Sequence, residues 1–185
     1  MRVPDLLFPR VRKDLLPPML GCALVGSLIA GCFGIVHDEV TFTISEEYFT
    51  RLKFEQFHYA DFGFPPRVFV AEIGFLASWW VGFAAAWFLS RGAFPRFPKT
   101  SAFRIVIRGM GIVAAFAALG SIVGYILGKM HGPDFSAWSG FTFSYHITDL
   151  PSFVRAAYIH NASYAGGFIG LAAALLTQRR KIADD

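Results

Sequence analysis

Four long apolar runs, Met19–Val36, Val68–Leu89, Ile105–Leu127 and Phe153–Leu176, alternate along the chain with short polar stretches. Each run is near the roughly 20 residues that a helix needs to cross about 30 Å of hydrocarbon, and longer than an ordinary buried core helix. The pattern predicts an all-α membrane protein, a bundle of four transmembrane helices spanning about 19–36, 68–89, 105–127 and 153–176, folded as one integral membrane domain over 1–185. Residues 1–18, where basic and apolar residues alternate among four prolines, are expected to lie in the cytoplasmic interface. Two connections, 37–67 and 128–152, are expected to be structured loops on the outer side.

The loops carry local signals of their own. Thr41-Phe42-Thr43-Ile44-Ser45 alternates like a strand. Ser45 is placed to cap a short helix beginning at Glu46, with Glu47 and Arg51 four positions apart. Asp149-Leu150-Pro151 reads as an N-cap followed by a first-turn proline. Within the spans, Gly120, Gly124 and Gly128 form one small-residue stripe, and Ala162, Gly166 and Gly170 another. Such stripes let helix backbones approach closely in lipid. A motif order also raises the expectation of two duplicated hairpins. Ala77-Ser78-Trp79 recurs as Ala162-Ser163-Tyr164, and Gly34 followed by His37 recurs as Gly128 followed by His131.

Composition agrees with the pattern, since 55% of the 185 residues are hydrophobic and only 16% charged. A net charge of +4 would suit a nucleic-acid binder, but its distribution excludes that reading. Lys and Arg gather before the first span, between the second and third, and after the fourth, which predicts a bacterial inner-membrane protein with both termini cytoplasmic. The partners expected are the lipid bilayer and other membrane subunits or a second copy of the chain, not nucleic acid. A basic stretch before an apolar run also resembles a signal peptide, and Ile29-Ala30-Gly31-Cys32 a lipoprotein cleavage box. With the segment retained from Met1, it reads as an uncleaved first span, and Cys22 and Cys32 as packing residues inside it.

Candidate chemistry collects on the outer side, which holds all five histidines and most of the carboxylates. Glu72, Arg155 and His160 fall inside the apolar runs, where charge is costly unless it faces protein or a water-filled cavity. The expected ligand pocket is Glu72, Arg155 and His160, with Asn161 beside them, roofed by His37, Asp38 and the Glu46–Lys53 helix. An ion pair between Glu72 and Arg155 would suit either that pocket or helix packing. A transition metal on outer histidines and carboxylates is the alternative, making the chain a metal-dependent membrane enzyme. No two of these residues show a metal-ligand spacing, so separate segments would have to converge. A structural subunit of a larger complex is the third reading. A nucleophile elbow, a phosphate loop and a second in-membrane histidine for haem are missing from the sequence.

The run from His37-Asp38-Glu39-Val40-Thr41 through Glu46-Glu47-Tyr48-Phe49-Thr50 to Lys53-Phe54 resembles a segment of uncharacterised bacterial multi-pass membrane proteins, and His160-Asn161-Ala162-Ser163-Tyr164 is similar to a second one. The resemblance implies a specific role for the outer loop. It implies no activity, cofactor or catalytic residue.

Overall fold

The computed structural model describes residues 11–132 and 134–184, with the side chains of 179–184 left aside. Four helices dominate: α1 (Leu16–Ile44), α2 (Pro66–Ala93), α3 (Lys99–Lys129) and α4 (Leu150–Asp184). Short helical turns fill the connections at Tyr48–Lys53, Phe54–Gln56, His58–Ala60, Ser136–Trp138 and Ser139–Tyr145, and there is no strand among the described residues. The four segments long and apolar enough to cross a membrane comprise 32, 28, 31 and 29 residues. At 1.5 Å per residue they measure about 42–48 Å, more than the about 30 Å of hydrocarbon a span must cross.

Proline sets the helix starts. Pro17 and Pro66 sit in the first turns of α1 and α2, where a missing N–H costs nothing, and Pro98 directly precedes α3. At α4 the expected cap is present, with the Ser152 N–H donating to Asp149 Oδ1 at 3.2 Å and Pro151 beside it. Residues 1–10 of the expected interfacial segment lie outside the described residues. Its last part is helical, a tight turn over Lys13–Leu15 that runs straight into α1.

One local expectation is overturned. The strand-like run at Thr41–Ser45 is the last turn of α1, which continues eight residues past Val36 and so begins the connection at Ser45. The threonines that suggested a strand return their hydroxyls to the helix, Thr41 Oγ1 to the His37 carbonyl and Thr43 Oγ1 to the Glu39 carbonyl, both at 3.0 Å. Ser45 acts as the cap, accepting from the Tyr48 N–H at 3.3 Å.

The helices pack as two hairpins, α1 on α2 and α3 on α4. Glycine brings each pair together. Gly26 lies against the Gly82 carbonyl, Gly34 against that of Gly74, Gly120 against that of Ala162, and Gly166 against that of Phe116. A Cβ at any of these positions would overlap backbone of the neighbouring helix. The repeated motifs do not share a contact register. Ser78 stands against Gly34, whereas Ala162-Ser163 stands against Gly120, and Gly128, the echo of Gly34, packs on Arg155.

Between the hairpins the filling differs at the two ends. Toward the termini, Met19, Leu89, Val106 and Met110 form an apolar core. Toward the long connections, Phe42, Tyr48, Phe49, Val70 and Phe153 form an aromatic one.

A candidate metal centre between the hairpins

Extending α1 to Ile44 turns His37 and Asp38 from roof residues into helix residues. Gly31, Gly34, Asp38 and Thr41 recur on one buried face of α1, and that face carries Asp38 inward. His160, about 15 Å along α4 from Leu150, meets it from the other hairpin. Asp38 is 4% exposed and His160 1%. His160 Nε2 lies 3.2 Å from Asp38 Oδ1, and the rings of His37 and His160 stand edge to face with centroids 4.7 Å apart.

The other nitrogen of each ring also has a neighbour. His160 Nδ1 donates to the Ala156 carbonyl at 2.9 Å. Ser121 Oγ lies 3.0 Å from the Ala117 carbonyl, to which it can donate, and 3.3 Å from His37 Nδ1. His160 Nε2 thus faces Asp38, and His37 Nε2 is buried without any partner. One ligand atom from each of His37, Asp38 and His160 lies within 4.8 Å of the other two.

The Asp38–His160 pair has the spacing of transition-metal ligands, and His37 offers a third donor within 4.8 Å of both. Nitrogen and oxygen ligands sit about 2.0–2.2 Å from zinc, so two of them at tetrahedral or octahedral angles stand roughly 3.0–3.4 Å apart. The 3.2 Å between His160 Nε2 and Asp38 Oδ1 falls in that range. Tethering the far nitrogen of each ligand histidine to a protein oxygen is the usual support for such a site.

The connection after α1 forms the lid. Over Tyr48–Lys53 the backbone widens to i→i+5 hydrogen bonding, closing with the Phe54 N–H on the Phe49 carbonyl. The wider turn puts Tyr48, Phe49, Leu52 and Lys53 all on the buried side. The Tyr48 ring centroid is 4.7 Å from that of His160, and Phe49 lies 6.0 Å away. Burial drives the Tyr48 phenol well above its ordinary pKa. Lys53 is only 9% exposed, and burial lowers its pKa while the charge of Asp38 raises it. Glu47 pins the lid to the second hairpin, accepting from the Thr148 N–H and hydroxyl and from the Asp149 N–H at 2.7 Å. Burial pushes the Glu47 pKa up, but these donors together, with Arg51 nearby, outweigh it and hold the carboxyl below its ordinary range.

Of the six expected pocket residues, His37, Asp38 and His160 come together. Glu72 and Arg155 form no ion pair. The pairs among the described residues are Arg12–Asp14, Arg67–Glu39 and His160–Asp38. Glu72 Oε2 and Arg155 Nε are buried without a hydrogen-bond partner, and the Arg155 guanidinium lies 5.9 Å from the Tyr125 ring centroid. Asn161 is exposed. Sequence reasoning missed Ser121, and it set the Glu46–Lys53 helix over the pocket without singling out Tyr48 and Lys53. Ser121, one residue after Gly120 on the small-residue stripe of α3, had a faint signal as a polar interruption of an apolar run. The inward turn of Tyr48 and Lys53 had none, because it depends on the wide helical turn.

In comparisons with known proteins, no family model matches this chain, and neither a curated protein nor a solved structure is significantly similar to it.

Proposed function

We propose that this multi-pass protein resides in the bacterial inner membrane with both termini cytoplasmic, and that its outward half binds a divalent transition-metal ion through His37 Nε2, Asp38 and His160 Nε2. The observation that carries this reading is the convergence of two imidazoles and a carboxylate, with His37 Nε2 buried without a partner. Leaving such a group unsatisfied costs about 1–3 kcal/mol, and a metal removes that cost. Two histidines and one carboxylate leave coordination positions open, as catalytic sites do, which favours metal-dependent chemistry on a small ligand over a purely structural subunit.

Metal analysis of protein purified in mild detergent tests the reading. One equivalent of zinc, iron or manganese is expected, falling to background in Asp38→Asn. A full equivalent retained in that variant, or no uptake by the wild type from any of these metals, sinks it. Orientation is tested separately, in a background with both cysteines replaced. A cysteine at Glu55 or Ser139 should react with an impermeant thiol reagent on intact cells, and one at Ser101 only after the membrane is opened. Labelling of Ser101 in sealed cells would reverse the topology.

A further inference from the structure

An open groove of about 320 Å³ lies on the exposed side of the first hairpin, lined by Leu20 of α1 and by Phe83, Ala84, Trp87 and Phe88 of α2. All five side chains are apolar, and Leu20 and Phe88 are nearly half exposed. A pocket for a polar small molecule sets a few polar groups among its apolar walls. This groove offers none, so hydrocarbon is what suits it.

One end of the groove is cationic. The Arg91 guanidinium lies over the Phe88 ring, 5.7 Å from its centroid. Arg96 folds back onto the same helix end, its Nη1 donating to the Gly92 carbonyl at 2.9 Å. Phe83 stands about 12 Å along α2 from Arg91, so the groove leads from these guanidiniums toward the middle of the span. Nearby acids do not answer the charge. The sequence has no Asp or Glu between Glu72 and Asp134, while Lys99, Arg104 and Arg108 add further cations on α3. Among the described side chains, Asp14 is the one carboxylate at this end of the bundle, and Arg12 holds it at 2.9 Å.

We propose that the groove seats an acyl chain of an anionic phospholipid whose phosphate is held by Arg91 and Arg96. The apolar wall and the cationic mouth match the two parts of that molecule, and basic pockets beside spans are a usual place for anionic headgroups. A guanidinium has five N–H donors, so Arg91 can take a phosphate oxygen beside the contacts it already makes. A zwitterionic lipid offers the same chain and phosphate but brings its own cation to the arginines. Headgroup charge is therefore what the site selects.

Trp87 reports on the groove directly. The protein is placed in phosphatidylcholine nanodiscs with increasing fractions of lipid brominated on its acyl chains, and the emission lost between wild type and Trp87→Phe isolates this one indole. Brominated phosphatidylglycerol should quench Trp87 at a lipid fraction about ten times lower than brominated phosphatidylcholine. The advantage should shrink in high salt, be lost in the double variant Arg91→Gln/Arg96→Gln, and largely return in Arg91→Lys/Arg96→Lys. Equal quenching of wild type by the two lipids would overturn the proposal, reducing the groove to ordinary bilayer contact. An advantage that survives the double Gln variant would also overturn it. So would a Trp87 shielded from both lipids in a protein that native mass spectrometry shows to be a dimer, because a second copy would then cover the groove.

Discussion

The contacts within each hairpin and the seam between the hairpins are built on opposite terms. Inside the hairpins, glycine lets backbone meet backbone, as at Gly34 with Gly74 and Gly120 with Ala162, and the chemistry is nearly featureless. Across the seam, large side chains do the filling, and polar contacts cross it: the buried Asp38 and His160 in direct contact, Ser121 beside His37, and Glu47 reaching over to Thr148 and Asp149. Packing in lipid is served by close backbone approach and needs no buried charge. A seam that nevertheless places a carboxylate and two imidazoles together carries a cost that packing does not explain. A metal there would join the two hairpins, each contributing at least one ligand.

The largest expected effect is on the seam's chemistry. His160→Ala should weaken metal binding by more than the roughly 10–100-fold typical of losing an outer-shell partner, while helicity by circular dichroism stays at the wild-type level. Equal metal affinity in wild type and variant would break the comparison, because the seam would then be packing alone. Next come the ladders. Gly34→Val or Gly124→Val forces a branched side chain into facing backbone and should destabilise by about 1–3 kcal/mol or more, seen as a lower thermal midpoint in detergent. An unchanged midpoint would show that the hairpins do not depend on close approach.

How much of this was legible in the sequence divides along the same line. The spans, the proline starts and the small-residue stripes could be read directly, because helix length in lipid and backbone approach are local properties. The end of α1 was misread. β-branched Thr41, Thr43 and Ile44 suggest a strand, yet the polar and small positions Gly31, Gly34, Asp38 and Thr41 already recur at helical spacing. The site was half legible. His37, Asp38 and His160 were among its candidates, but the cost of charge drew Glu72 and Arg155 in with them. Depth alone cannot pair residues. Arg155 and His160 are five positions apart, about 140° around a helix, and so cannot share one face of α4. The inward Lys53 depends on a wide helical turn that no periodicity announces.

A smaller effect probes the tie across the seam. Glu47→Gln should lower stability at neutral pH by about 1 kcal/mol, the usual scale of a lost helix-end acceptor. The sign with pH follows from the depressed carboxyl. Its contribution is complete above the unfolded-state pKa and disappears as the pH falls through the lower folded-state value. Thermal scans should therefore show the gap between wild type and Glu47→Gln closing in acid, and a gap that widens there would contradict the assignment. The smallest effect belongs to Asn161, which is exposed and one residue from the metal ligand His160. Asn161→Ala should leave metal stoichiometry and affinity unchanged, and a marked loss would mean that the ligand set faces a different side of α4.

The central claim is a metal held by two imidazoles and one carboxylate, and X-ray absorption at the metal edge of the loaded protein reads those ligands directly. The account predicts nitrogen and oxygen scatterers at about 2.0–2.2 Å, with the outer-shell pattern of two imidazole rings that falls to one in His37→Ala. A sulfur scatterer near 2.3 Å, which would point to Cys22 or Cys32, or a spectrum without imidazole, would contradict it.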